Sequence, residues 1–297
     1  MTRAGFVGLV GRPNVGKSTL ANAIVGAKVA IVSDRPQTTR RAIRGIATDP
    51  AGEWQLVLVD MPGVQRPRDE ITRRMQHRVE AEMHEADVVL LVIDGEQGVG
   101  PGDRFIAKAL IGAENRAPVV CAVNKVDRLG TADTAAALTA AEKLDVADEI
   151  FPVSARRGTG VPVLLERLAE LVPEGPLMYP PEDRTDASRE QQVAELIREQ
   201  ILRRTRQEVP HSVEVMVNEL RTREDGLVEV VAEAWVETES QKGILVGRGG
   251  KMVRDVGTAA RRELERELDA RVYLDLQVKL RSRWRRDAAL LDRLGIE

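Results

Sequence analysis

The chain has 297 residues, 43% apolar and 31% charged, with a formal net charge of −3. That length accommodates two domains with cores of their own, and the composition is that of a globular protein rather than a disordered or fibrous one. A single cysteine, Cys121, excludes a disulfide framework and a cysteine zinc site. No apolar run reaches the ~18 residues of a membrane span, and no basic-then-apolar leader is visible, so a cytoplasmic protein is expected, at most peripheral on the inner face of the cell membrane.

Phe6–Val10 reads as a short buried strand, and Lys17–Val25 as a helix stopped by Gly26. Between them runs Gly11-Arg12-Pro13-Asn14-Val15-Gly16-Lys17-Ser18-Thr19, the G-x-x-x-x-G-K-[ST] pattern in its proper context of strand, loop and helix. The glycines let backbone N–H groups turn onto phosphate oxygens at a helix N-terminus. Lys17 adds a point charge there, and the Ser18 hydroxyl is placed to ligate Mg²⁺.

The polar loop Ser33–Arg41 follows, in which a threonine can join the Mg²⁺ shell. Arg35, Arg40 and Arg41 read there as solvated charges or as charge donors to the site. Strands are expected over Ala42–Thr48 and Trp54–Asp60, the second closed by Asp60-Met61-Pro62-Gly63-Val64. Asp60 can hold Mg²⁺ through water, and the Gly63 N–H can meet a γ-phosphate. Val64 is apolar where Ras-like enzymes carry a water-orienting glutamine, and Gln65 would point elsewhere, so slow intrinsic hydrolysis is expected.

A helix over Asp69–Glu85 leads to the Val88–Asp94 strand, whose unbroken Val/Ile/Leu run fits burial on both faces of a mostly parallel sheet. A helix over Gly102–Gly112 and the strand Val119–Asn124 come next, with Cys121 as a small core residue. Asn124-Lys125-Val126-Asp127 ends that strand. A carboxylate at Asp127 can accept from both N1–H and the exocyclic amine of guanine, whereas adenine has no donor at N1. After a helix over Ala132–Lys143 and a strand over Glu149–Val153, Ser154-Ala155-Arg156 can offer N–H groups to the guanine carbonyl. A helix over Val161–Val172 closes the first domain, residues 1–172.

Four prolines within 173–186 break the alternation and read as a stiff linker. The remainder, 187–297, begins with a long polar helix. Strands follow over Val213–Leu220 and Leu227–Val236, then a glycine loop between helices, a helix over Val253–Leu268 and a strand over Val272–Val278. That loop, Gly247-Arg248-Gly249-Gly250-Lys251, carries G-x-x-G and can press N–H groups and two cations against a nucleic-acid backbone. From Gln241 onward there are 14 Lys/Arg against 9 Asp/Glu, leaving 30 against 38 before it, which directs a polyanion to the tail end. Leu280, Trp284, Leu291 and Leu294 would share one face of a last helix, making Trp284 core.

Together, G-x-P-N-V-G-K-S, Gln37-Thr38-Thr39-Arg40, D-x-P-G, N-K-x-D and S-A-R resemble the Era family of GTPases over nearly the whole chain. The resemblance implies an α/β P-loop GTPase domain, a mostly parallel sheet with helices on both faces, joined to a C-terminal α+β type-II KH domain. It implies GTP and GDP as ligands with Mg²⁺, catalytic roles for Lys17, Thr39 and Gly63, and Thr39 ahead of Thr38 beside Ser18 and Asp60 in the metal shell. Asn14 resembles the potassium-liganding asparagine of some relatives, which would add K⁺. Met61 departs from the usual threonine. The implied partners are the 3′ end of small-subunit ribosomal RNA and the 30S subunit, with no DNA and a monomeric protein. The alternative is an RNA-binding assembly scaffold in which GTP is a ligand and hydrolysis incidental.

Overall fold

The computed structural model describes residues 2–33, 38–64, 70–113, 117–205, 209–294 and 296, the side chains of His211 and Arg293 excepted. It divides into two compact units, Met1–Asp186 and Ala187–Ile296. Asp34–Gln37, Gln65 and Asp69, which figure in the sequence reading, lie outside the described residues.

The first unit runs β1 (Arg3–Val10), α1 (Lys17–Val25), β2 (Ile43–Thr48), β3 (Trp54–Asp60), α2 (Glu70–Glu85), β4 (Val88–Asp94), α3 (Pro101–Ile111), β5 (Val119–Asn124), α4 (Thr131–Glu142), β6 (Glu149–Pro152) and α5 (Val161–Leu171). The six strands form one sheet in the order β2-β3-β1-β4-β5-β6. All neighbours are parallel except β2 with β3. Central β4 is buried at every position, as its unbroken apolar run requires. Cys121 on β5 is core, and burial pushes its thiol up to about 12. The C-terminal ends of the parallel strands share one edge of the sheet, where ligands of open α/β sheets bind.

The first strand begins at Arg3, ahead of the expected Phe6, because Arg3 and Ala4 already pair with Trp54 and Gln55. The proline-rich segment 173–186 belongs to the first unit and is laid along it. Ala4 N–H donates to Pro173 O at 3.0 Å and Gly175 N–H to Thr2 O at 3.0 Å. Buried Gln55 pins the middle: its Oε1 accepts from Met178 N (2.8 Å) and Tyr179 N (3.0 Å), and its Nε2 donates to Tyr179 O (2.9 Å). Ile46 N–H donates to Arg184 O at 2.8 Å, so the segment ends on the open edge of β2.

The second unit runs α6 (Arg189–Arg204), α7 (Val209–Ser212), β7 (Glu214–Thr222), β8 (Val228–Val236), α8 (Glu239–Val246), α9 (Lys251–Leu268), β9 (Val272–Leu280) and α10 (Ala288–Arg293). Its sheet is β7-β8-β9, antiparallel then parallel. In α9, Val256, Ala260 and Leu264 recur every four residues and form the buried stripe. Helix α6 is less polar in place than in sequence, since Arg198 is buried between Glu195 (2.7 Å) and Glu214 (3.7 Å).

The single last helix expected from Leu280 to Leu294 does not form. The strand β9 runs on to Leu280, a 3₁₀ turn covers Trp284–Arg286, and α10 begins only at Ala288. Trp284 is nonetheless fully buried, and its indole N–H donates to Ser212 O at 2.9 Å. That hydrogen bond satisfies the polar end of the buried ring.

Candidate functional site

The loop after β1 is shaped by residues that only small or strained geometry admits. Gly16 has φ +102°, and a Cβ there would stand 2.3 Å from Asn124 Nδ2. Gly63 presses against Pro13 in the same way, with its would-be Cβ 2.8 Å from Pro13 N. Lys17 is buried and folds back, donating from Nζ to the Gly11 and Arg12 carbonyls at 3.1 Å each. Burial lowers its ammonium to about 8, against the opposing pull of Asp60.

Three oxygen-bearing side chains converge behind Lys17. Ser18 Oγ donates to Asp60 Oδ2 at 2.6 Å, Thr39 Oγ1 donates to the same atom at 3.2 Å, and the two hydroxyls are 3.1 Å apart. The second carboxylate oxygen, Asp60 Oδ1, is buried and has no hydrogen-bond partner among the described residues. Burial raises the Asp60 carboxyl, while Lys17, Ser18 and Thr39 oppose that shift. A carboxylate with a spare buried lone pair beside two hydroxyls is a hard-oxygen set that fits Mg²⁺ completed by water and phosphate oxygens.

At the other end, Asn124 is a hub. Its Nδ2 donates to Val15 O (2.9 Å), and its Oδ1 accepts from Lys125 N (2.8 Å) and Ala155 N (3.0 Å). Lys125 spans from Asp94 (2.5 Å) to the Asn14 carbonyl (2.8 Å), clamping the phosphate loop to β4 and β5. Ser154 Oγ donates to Asp127 Oδ1 at 2.7 Å, and that bond, ahead of more distant arginines, holds the carboxyl below its ordinary range. An ionised acceptor therefore faces the cavity, and its chemistry suits a partner that offers two donors.

A cavity of about 540 Å³ joins the two ends, lined by Lys17, Ser18, Thr39, Gly63 and Asp127 among others. Asn14, Thr19, Asn124, Lys125, Ala155 and Arg156 also face it. Gly11, Val15, Val126 and Ser154 shape it from behind through backbone and hydroxyl contacts. The Arg12 side chain turns away and pairs with buried Asp103 (2.8 Å) and the Gly98 carbonyl (2.9 Å). Met61 is fully buried in the same apolar cluster as Val10, Val59 and Val64, so neither Met61 nor Val64 offers the cavity a polar atom. Pro62, between them, is buried as well. Arg40, expected as a solvated switch charge, is buried.

Sequence reasoning missed Gln97 and Arg128, which line the cavity from the loops after β4 and β5. It also missed Asn22 inside α1. Asn22 Oδ1 accepts from Val29 N (3.0 Å) and Ala30 N (2.9 Å) while Nδ2 donates to Ala30 O (2.7 Å). One amide thus fixes where the segment leading to Thr39 departs. Its signal was an asparagine at a helix position where propensity does not favour it. Asn22→Ala leaves those backbone groups unpaired, so an apparent Tm several degrees lower is expected in a thermal scan.

In the second unit, the G-x-x-G loop joins α8 to α9. Gly247 sits at φ 73°, ψ 171°, and a Cβ there would strike Met252 Cβ at 2.7 Å, so glycine is required. Arg248–Gly250 form a 3₁₀ turn, Arg248 and Lys251 are exposed, and Arg254 Nη2 donates to Gly249 O at 3.0 Å. The start of α9 and two exposed cations suit a phosphate backbone.

Comparison with known proteins agrees in outline. A family model described as 50S ribosome-binding GTPase matches residues 6–125, and one described as KH domain matches residues 208–285. GTPase Era of Mycobacterium sp. (strain KMS) is 47% identical over 296 residues, covering 99% of this chain and 98% of that protein. GTPase Era of Mycobacterium tuberculosis (strain ATCC 25177 / H37Ra) is 48% identical over 297 residues, covering 98% of each. Among solved structures, Era in complex with MgGDPNP and nucleotides 1506–1542 of 16S ribosomal RNA superposes with a TM-score of 0.94 at 34% identity, covering 100% of this chain and 99% of that one. An Aquifex aeolicus Era variant bound to GDP.AlF4⁻ gives 0.93 at 33% identity, covering 99% of each.

Proposed function

The chain belongs to the Era family of GTPases, and we propose that it binds GTP and GDP with Mg²⁺, hydrolyses GTP to GDP and phosphate, and binds 16S ribosomal RNA near its 3′ end during assembly of the 30S subunit. The observation that carries this reading is the pairing, in one chain, of the Ser18–Thr39–Asp60 oxygen cluster and Asp127 with a glycine-locked G-x-x-G loop. The family model whose description names the 50S subunit covers only residues 6–125, the nucleotide half. The RNA partner is argued instead from the second unit and from the full-length relative, whose RNA is a 16S segment.

In this reading the loop from Gly11 to Thr19 cradles the phosphates and Lys17 neutralises the outer ones. Ser18, Thr39 and Asp60 would hold Mg²⁺, which would supply charge neutralisation at the transferred phosphoryl group. The Gly63 N–H meets the γ-phosphate and Asp127 reads the guanine edge, whereas the Ala155 N–H, expected at the guanine carbonyl, is already given to Asn124 Oδ1. Water attacks in line, but Val64, packed into the apolar core, cannot orient it. Turnover by the isolated protein in sodium buffer is therefore expected at about 10⁻⁴–10⁻² s⁻¹, rising with an oligonucleotide carrying the 3′-terminal segment of 16S RNA. Potassium should raise it too if Asn14 ligates that ion. A rate near ~10 s⁻¹ without RNA or potassium would contradict the mechanism. The expected setting is the cytoplasm, with peripheral membrane contact to be read by vesicle flotation and a monomer by light scattering.

Lys17 also makes nucleotide binding sensitive to pH. Its free-state pKa is about 8, and bound phosphates raise it, so binding takes up a proton above that pH. Affinity for GDP should fall roughly eightfold between about pH 7.5 and about pH 9. A dissociation constant flat across that window would remove the buried lysine from phosphate binding.

A further inference from the structure

Arg44 joins three segments that the nucleotide site and the second unit depend on. It lies on β2, close behind Thr39. Its Nη2 is 3.5 Å from Glu82 Oε1 on α2, the helix that follows Gly63, and its Nη1 is 3.4 Å from Asp186 Oδ2. Asp186 is the last residue of the first unit, and the chain enters the second unit at Ala187. The guanidinium stacks over Phe6 at 5.6 Å from the ring centroid, which fixes its plane.

The two ends of this contact are restrained unequally, the Glu82 end buried and the Asp186 end exposed. Glu82 is 4% exposed and also takes Arg78 at 2.6 Å, so it cannot leave Arg44 without carrying α2 with it. The end of the 173–186 segment is bridged to β2 at Gly45–Thr185 and bonded at Ile46–Arg184, which brings the exposed Asp186 within reach of Arg44. In GTPases, γ-phosphate and its metal hold switch segments that are released on hydrolysis, and α2 follows the Asp60–Gly63 stretch in the chain. A shift of α2 therefore changes the separation of Glu82 from Arg44, and with it the charge that Asp186 meets.

We propose that Arg44 is a coupling residue: through Glu82 and Asp186 it passes the nucleotide state of the first unit to the segment that leads into the second. This rests on the GTPase and RNA-binding reading above and names its regulation. A ligand-driven shift requires contacts that differ between the two states, and the Glu82 and Asp186 ends of Arg44 are where this relay would place them.

The test is amide hydrogen exchange on the full chain with GDP and with a non-hydrolysable GTP analogue, beside RNA binding in the same two states. In the wild type, protection over residues 178–186 should differ between states by about fivefold or more, the lower end of allosteric couplings. Arg44→Ala and the isosteric Asp186→Asn should both reduce that difference to less than about twofold, while GDP affinity stays unchanged. RNA affinity should lose its dependence on nucleotide in parallel. A difference that persists in both variants, or is absent from the wild type, overturns the relay. Failure of the wild type to bind RNA, with the exchange difference intact and abolished by both variants, overturns the RNA-binding reading and leaves the relay standing.

Discussion

Asp127→Asn is expected to exchange guanine for xanthine as the preferred base. The carboxylate accepts from N1–H and the exocyclic amine of guanine. The amide keeps one acceptor and gains one donor, which suits N1–H and the carbonyl that xanthine carries at C2. Ser154 Oγ already donates to Asp127 Oδ1 at 2.7 Å, so it would hold the amide oxygen in that place and turn Nδ2 to the base. Sites built on paired donors and acceptors reject a mismatched partner by about 10⁴-fold, which sets the scale of the exchange. The same hydrogen bond lowers the Asp127 carboxyl further below its ordinary range, so the wild type should show no loss of guanine selectivity down to mildly acidic conditions. Competition between GTP and XTP for wild type and variant measures the effect. A variant that still prefers GTP by the wild-type margin would take Asp127 out of base recognition.

Much of the fold is legible in the sequence because the sheet is buried on both faces. Runs such as Val88–Asp94 and Val119–Asn124 have one possible environment, and the structure places both strands at the expected residues. Capping signals were nearly as direct, since Gly26 stops α1 where a left-handed residue is needed. The segment 173–186 was harder to read. Its prolines exclude helix, but its attachment depends on Gln55, whose amide meets backbone groups more than a hundred residues away. No local pattern encodes such a contact. Trp284 teaches a related point: the expectation of burial held while the helical face behind it did not, because a tryptophan needs only an acceptor for its N–H, here Ser212 O. In the candidate site, motif spacing located every stretch that borders the cavity after β1, β3, β5 and β6. The turned-away Arg12 and the contributions of Gln97 and Arg128 arise where separate loops meet, and spacing within one loop does not report that.

Gly249→Asp should abolish most RNA binding while sparing the nucleotide site. Gly249 has φ 57° and ψ 26°, a left-handed conformation that aspartate adopts more readily than most residues, and a Cβ there meets no atom within 4 Å. The variant therefore has room to fold, unlike any substitution at Gly247, where the side chain would collide with Met252. What changes is charge: a carboxylate stands on the exposed tip of the loop between Arg248 and Lys251, where a phosphate backbone must come close. Juxtaposing like charges at an interface costs several kcal/mol at its largest, so a loss of about 30-fold or more in RNA affinity is expected. Arg248→Ala, by contrast, removes one cation and should weaken binding modestly, flattening the log–log salt dependence by about 0.7 for a single strand. The measurement is binding of the 3′-terminal 16S oligonucleotide across a salt series, with GDP affinity and circular dichroism recorded alongside. Unchanged RNA affinity in a folded Gly249→Asp protein would sink the assignment of the loop as the RNA contact. A parallel loss of GDP affinity would instead mean that the two units, compact each by itself, do not act separately.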